Sequence, residues 1–201
     1  MLHRRALLAL PLLAAPAVAQ PAFIATPEAL ALLRAGGLNL YIRHAITDRG
    51  QRDTGRRGDR AGQRNLSEAG RQQARALGQA FRALNIPVAE VLTSEVFRAA
   101  DTAELAFGQA RVERDLIADD YTPGDAMADA RAVSRRLAEP VAGSNRVMVG
   151  HIVPLGMILG RGLAQAEFPE GAMGVFRPRG ADWEFLGFVT AEQLIAAAGS
   201  R

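Results

Sequence analysis

The sequence predicts an α/β fold with a mostly parallel central sheet, and three observations carry that reading. Strand-like apolar runs alternate with helical patterns along the chain. The first run, Leu38-Asn39-Leu40-Tyr41-Ile42, lacks the polar alternation of a half-exposed edge strand. Two such runs end on histidine, at Arg43-His44 and at Val149-Gly150-His151. In an open α/β sheet the carboxyl ends of the strands border the ligand crevice, so two imidazoles placed there face a site rather than a core. The only other histidine is His3.

The elements follow in order. Thr26-Pro27-Glu28 reads as a helix start, with Thr26 as the N-cap and proline at the first position, and Gly36-Gly37 ends that helix. After the Leu38–Ile42 strand, the stretch from Asp48 to Asn65 holds six arginines, four glycines and three aspartates. It reads as a long irregular loop that overhangs the site. Ser67-Glu68 caps a helix whose Ala74, Leu77, Phe81 and Leu84 share one face. Val88 to Thr93 is a second strand, and Phe97 to Phe107 a helix with Ala100, Ala103 and Phe107 inward. A less regular stretch begins at Val112. Asp125 to Leu137 is a helix with Ala126, Ala130, Val133 and Leu137 on its apolar face, and Gly143-Ser144-Asn145 turns into the Arg146–Gly150 strand. Strands near Met173–Arg177 and Trp183–Val189 precede a last helix opening on the capping-box pattern Thr190-Ala191-Glu192-Gln193.

Composition narrows the function classes. With 49% hydrophobic and 22% charged residues, 201 residues fill one domain, and neither a disordered tail nor a membrane bundle fits. The first residues differ from the rest. His3-Arg4-Arg5 is basic, Ala6 to Val18 is apolar, and Ala17-Val18-Ala19 has the small-x-small form of a signal peptidase site, so residues 1–19 are expected to be a cleaved export signal and 20–201 the single mature domain. Arg4-Arg5 leaves both the general and the twin-arginine routes open. Pro11 and Pro16 interrupt a run already too short for a membrane anchor. Cysteine is absent, which excludes thiol nucleophiles and cysteine-ligated metals. Every basic residue is arginine, and cleavage leaves 22 arginines against 21 acids. That near-balance speaks against a nucleic-acid partner.

Four motifs carry a resemblance to the histidine phosphatase superfamily, the phosphoglycerate mutase-like fold, over nearly all of the mature sequence. Arg43-His44 stands where that family has Arg-His-Gly, and Leu66-Ser67-Glu68-Ala69-Gly70-Arg71 resembles its Leu-Ser/Thr-x-x-Gly helix start. Thr93-Ser94-Glu95-Val96-Phe97-Arg98-Ala99-Ala100-Asp101-Thr102-Ala103 is similar to its Thr-Ser-x-x-x-Arg-Ala-x-x-Thr-Ala segment, and Val149-Gly150-His151 to its Val-Gly-His. The resemblance implies a three-layer α/β/α sandwich and a phosphatase that forms a phosphohistidine on His44. The chemistry of the residues agrees. A neutral imidazole held in one tautomer is a competent nucleophile. The guanidinium forks of Arg43 and Arg98 suit a phosphoryl dianion, and His151 adds a donor. This scheme uses neither a metal nor another cofactor. Among the loop arginines Arg52, Arg56, Arg57, Arg60 and Arg64, Arg64 is the candidate for substrate contact, and the others read as solvated charge.

Two positions depart from the family pattern. Ala118 falls where the mutase-like branch would place its acidic glutamate, which leaves Asp119 as the candidate proton donor and Asp120 or Asp125 as alternatives. Ala45 replaces the usual glycine and gives up backbone freedom, an expected source of reduced activity. The expected partner is a small phosphate ester. A further resemblance, through the Gly143-to-His151 stretch and Val175-Phe176-Arg177-Pro178, runs toward exported bacterial members acting on envelope sugar phosphates. The alternatives are a mutase and a non-catalytic phosphoanion-binding protein.

Overall fold

The computed structural model describes residues 23–200; the expected export segment lies outside the described residues. A six-stranded sheet in the order β3-β2-β4-β1-β5-β6 forms the centre. Its strands are β1 (Asn39–Arg43), β2 (Val88–Thr93), β3 (Arg111–Val112), β4 (Asn145–Gly150), β5 (Met173–Pro178) and β6 (Trp183–Val189). The first four run parallel, while β5 pairs antiparallel with β1 and β6 antiparallel with β5.

Helices cover both faces, as expected of a three-layer sandwich. On one face α1 (Thr26–Ala35), α2 (Glu68–Ala83), α3 (Phe97–Phe107) and α6 (Ala191–Gly199) pack against Leu40, Ile42, Val147, Val149 and Val175. On the other, α4 (Ala126–Ala138) and α5 (Ile152–Ile158) pack against Tyr41, Leu92, Met148 and Phe176. Successive β1 side chains therefore serve opposite cores, which is why Leu40, Tyr41 and Ile42 are apolar without alternation and the strand is fully buried.

The local expectations hold with a few corrections. Ser67 caps α2 by accepting from the Gly70 amide, and Thr190 and Gln193 form the capping box of α6. At α1 the N-cap is Ala25, and Thr26 is already helical; Pro27 sits in the first turn and makes no demand for a donor there. Ala103 is buried in α3 as expected, and Phe107 packs on the core against Phe81, with ring centroids 5.2 Å apart, whereas Ala100 is only half-buried. The buried face also includes Arg98, Ala99, Thr102 and Ala106, two of them polar residues that the apolar period does not register. Helix α5, directly after His151, carries no capping side chain and was not expected from the sequence. None of the described helices is long and apolar enough to cross a membrane.

Candidate active site

Register brings the two histidines together. In the parallel β1–β4 pair Arg43 lies opposite Gly150, so the next residues, His44 and His151, leave adjacent strand ends side by side. Their ring centroids are 5.5 Å apart. On the far side of β4, Thr93 pairs with Val149, which puts Ser94 beside His151. Three neighbouring parallel strands thus deliver His44, His151 and Ser94 to one edge of the sheet.

Each imidazole is fixed by its own neighbours. The Nδ1 of His44 lies 2.9 Å from the Ala45 carbonyl oxygen. A carbonyl only accepts, so Nδ1 carries the proton and Nε2 keeps its lone pair. Burial, with the positive charges of Arg98 and Arg43, holds His44 well below the ordinary histidine pKa despite that hydrogen bond, which keeps the ring neutral. His151 is lowered in the same way, by burial first and then by Arg98 and His44. Its Nε2 is 3.0 Å from Ser94 Oγ, which already accepts from the Val96 amide at 3.1 Å. The hydroxyl can either donate to Nε2 or accept from it, so this contact holds the ring in place under either tautomer. Tyr41, fully buried under the sheet, clamps the backbone of His151: its hydroxyl accepts from the His151 amide at 2.9 Å and donates to the His151 carbonyl at 3.0 Å.

The arginines close around this pair. Arg43, His44, Arg98 and His151 are only 2%, 3%, 4% and 3% exposed, so all four are held by the fold and not by solvent. Arg43 donates through Nη1 to the Phe168 carbonyl at 2.6 Å, and burial lowers its pKa to about 10, which leaves it charged at neutral pH. Arg98, in the first turn of α3, donates through Nη1 to Asp53 Oδ1 at 2.9 Å. Arg64 acts electrostatically on both histidines and on Arg43, so it belongs to the same cluster. The Nε groups of Arg43, Arg64 and Arg98 and the Nδ1 of His151 are buried without a hydrogen bond. Three guanidinium Nε donors and one imidazole nitrogen of this cluster thus have no partner within the protein.

The segment after His44 is seated by main-chain contacts. Thr102 Oγ1 accepts from the Ala45 amide at 2.9 Å and donates to the Arg98 carbonyl at 2.7 Å, tying the β1 end to α3. The Ala45 methyl packs with Leu66 and Ala74, and its φ is not among the positive values. Alanine therefore takes this conformation without strain, and the expectation that it costs activity through lost backbone freedom has no structural basis. Gly70 is different: a Cβ there would overlap the Ile46 carbonyl oxygen, so the α2 start can approach the nucleophile segment only as glycine.

The carboxyl candidates separate. Asp125 caps α4, accepting from the Met127 amide, and pairs with Arg131 at 3.2 Å, so it is engaged away from the cluster. Asp120 lies 4.0 Å from Arg98 Nη2, and its pKa is raised by partial burial and by Asp53 and Asp119, against the pull of Arg98. Asp119, the first choice from sequence, is next to it in the same turn but makes no ion pair with Arg98. Sequence reasoning missed Asp53, Gln63, Ser94, Tyr41 and Tyr121. Gln63 is 1% exposed, and its Oε1 accepts from the Phe97 amide at 3.0 Å, capping α3 from the loop. Only Ser94 had a signal, as part of the Thr93-Ser94 motif.

Comparison with known proteins bears directly on this arrangement. Residues 40–120 match the histidine phosphatase superfamily, branch 1. The matched span holds His44, Arg64 and Arg98, while His151 joins them through the sheet. The fold is similar to that of the protein histidine phosphatase SixA complexed with tungstate, at 14% identity over 78% of this chain and 99% of that one, with a TM-score of 0.53. It is also similar to an open reading frame product of Mycobacterium tuberculosis, at 17% identity over 77% and 98% with a TM-score of 0.57. A mutant phosphoserine phosphatase from Entamoeba histolytica in complex with phosphoserine gives 14% identity over 78% and 98% and a TM-score of 0.54. No curated protein matches the chain.

Proposed function

We propose that the chain is a histidine phosphatase, a phosphomonoester hydrolase that works through a phosphohistidine on His44. The observation that carries the reading is a buried neutral imidazole, its Nδ1 tied to the Ala45 carbonyl, ringed by arginine donors and a His151 nitrogen that have no protein partner. In the first step Nε2 of His44 forms a bond to phosphorus as the ester P–O bond breaks. The leaving oxygen takes a proton from the Asp119–Asp120 turn, with Asp120 favoured because it stands 4.0 Å from Arg98 and its pKa is raised by partial burial and by Asp53 and Asp119. In the second step water attacks the phosphohistidine, gives its proton to the same carboxylate, and releases phosphate with His44 neutral again. Arg43, Arg64, Arg98 and His151 hold the non-bridging oxygens, whose charge grows in the transition state.

The substrate is a small phosphate ester met outside the cytoplasm, a sugar phosphate of the envelope being the class that the export signal and the sequence resemblance favour. Hydrolysis is preferred to mutase action because an exported enzyme meets few phosphoglycerates. The test is turnover of p-nitrophenyl phosphate and a panel of sugar phosphates by the mature protein beside His44→Ala. Turnover by the unmutated protein alone is expected. Phosphate binding without turnover would instead favour a non-catalytic anion binder.

A further inference from the structure

The loop between His44 and α2 returns one carboxylate to the cluster that the phosphatase reading leaves without a task. Asp53 Oδ1 accepts three hydrogen bonds: from Arg98 Nη1 at 2.9 Å, from the Tyr121 hydroxyl at 2.6 Å and from the Arg64 amide at 2.9 Å. These donors come from three different parts of the chain. Arg98 belongs to α3, Arg64 to the end of the loop, and Tyr121 directly follows the Asp119–Asp120 pair. We propose that Asp53 is a positioning residue whose single oxygen aims the Arg98 fork and, through Tyr121, holds the acid-bearing turn against the phosphate site.

The surroundings support a fixed post and not a passing contact. Tyr121 is itself buried among Val96, Ile117 and Ala118, with the Arg98 guanidinium 5.8 Å from its ring centroid. Its chain is folded back by hydrogen bonds from the Tyr121 and Thr122 amides to the Ala118 carbonyl. On the outer side Thr122 Oγ1 donates to Asp129 at 2.7 Å, so the turn is anchored at both ends. Burial would raise the Asp53 pKa, but the Tyr121 and Arg64 hydrogen bonds and the Arg98 charge outweigh it, and the carboxylate stays ionised. Without Asp53 the Arg98 fork keeps only the 4.0 Å approach of Asp120, and a guanidinium with one loose partner is free to turn.

The inference rests on the phosphatase reading, and the experiment separates the two. Asp53→Asn, Asp53→Ala and Tyr121→Phe are compared with the parent in three measurements: direct binding of inorganic phosphate by calorimetry, and kcat and KM on p-nitrophenyl phosphate and on a simple alkyl phosphate. The first ester has a good leaving group, while the second needs a proton donor. Tyr121→Phe is expected to lose about tenfold or more in kcat on the alkyl ester and under about threefold on the aryl ester, with phosphate binding unchanged. Asp53→Ala is expected to weaken phosphate binding about tenfold and to raise both KM values. Asp53→Asn keeps the acceptor oxygen and should restore phosphate binding to the parental level or better, since it also removes a negative charge. Equal losses on both esters in Tyr121→Phe would overturn the proposal, as would identical behaviour of Asn and Ala at position 53. Should the parent bind phosphate but turn over neither ester, the hydrolase reading fails, while the phosphate affinities of the Asn and Ala variants still decide whether Asp53 positions Arg98.

Discussion

The two sides of the site are built by different means. His44, His151 and Arg43 leave the ends of adjacent buried strands, and main-chain pairing sets their spacing before any side chain takes part. Across from them the Asp48–Asn65 loop and the Asp119–Asp120 turn have no sheet beneath them. Side-chain contacts hold that half: Asp53 to Arg98 and Tyr121, Arg60 to Asp101, and Gln63 to the start of α3. The contrast teaches where robustness lies. The strand-end half is part of the core, while the loop half hangs on side-chain contacts, one of which, from Asp53, reaches back to Arg98.

The contrast is sharpened first at the arginines. Arg98→Gln and Arg43→Gln should each lower kcat/KM on p-nitrophenyl phosphate about 10²-fold or more, because each removes a charged donor from the phosphoryl oxygens. A carboxyl variant in the Asp119–Asp120 turn, proposed to serve the leaving group, should behave otherwise. Asp120→Asn should cost about 10- to 100-fold in kcat on an alkyl phosphate and little on the aryl ester, and Asp119→Asn less than Asp120→Asn. Reversal of that order would return the donor role to Asp119.

Stability against pH probes the strand-end half alone. Both buried histidines have folded pKa values below the unfolded one, so the unfolded chain takes up protons first as pH falls through about 6.5. Their contribution to stability is whole above that point and is lost below it, by at most about 1.4 kcal/mol per pH unit for each ring. Asp120, whose pKa is raised, runs the opposite way at lower pH. Urea midpoints at pH 7.5, 6.5 and 5.5 should therefore fall, and His151→Gln should fall less steeply than the parent. The smallest expected effect is at Ala45. Ala45→Gly should change kcat by less than about twofold and cost about 0.5–1 kcal/mol in stability, since the methyl is packed and no positive φ is in use.

The sequence made one half of the site far more legible than the other, for the same physical reason. A fully buried parallel strand announces itself as an apolar run, and a histidine at its end stands out against it, so His44 and His151 were readable with Arg43, while Arg98 was legible through its segment's resemblance to the family motif. The mostly parallel sheet was legible in the β-α-β alternation, but the strand order was not read from it. Asp53 was not legible, being one of three aspartates in an arginine-rich loop with no periodicity to rank them. Tyr121 and Gln63 were hidden for the same reason, since their partners lie far along the chain. The inward face of α3 was read only in part, because hydrophobic spacing finds Ala103 and Phe107 but cannot register a buried arginine.

The most direct test is to trap the covalent intermediate. The mature protein is mixed with a ³²P-labelled phosphoester, quenched in alkali where phosphohistidine survives, and the label mapped by peptide. Label on the peptide containing His44, absent from His44→Ala and chased by unlabelled substrate at the rate of turnover, is the expected result. Turnover at an undiminished rate in His44→Ala, or label carried by any other residue, would contradict the account.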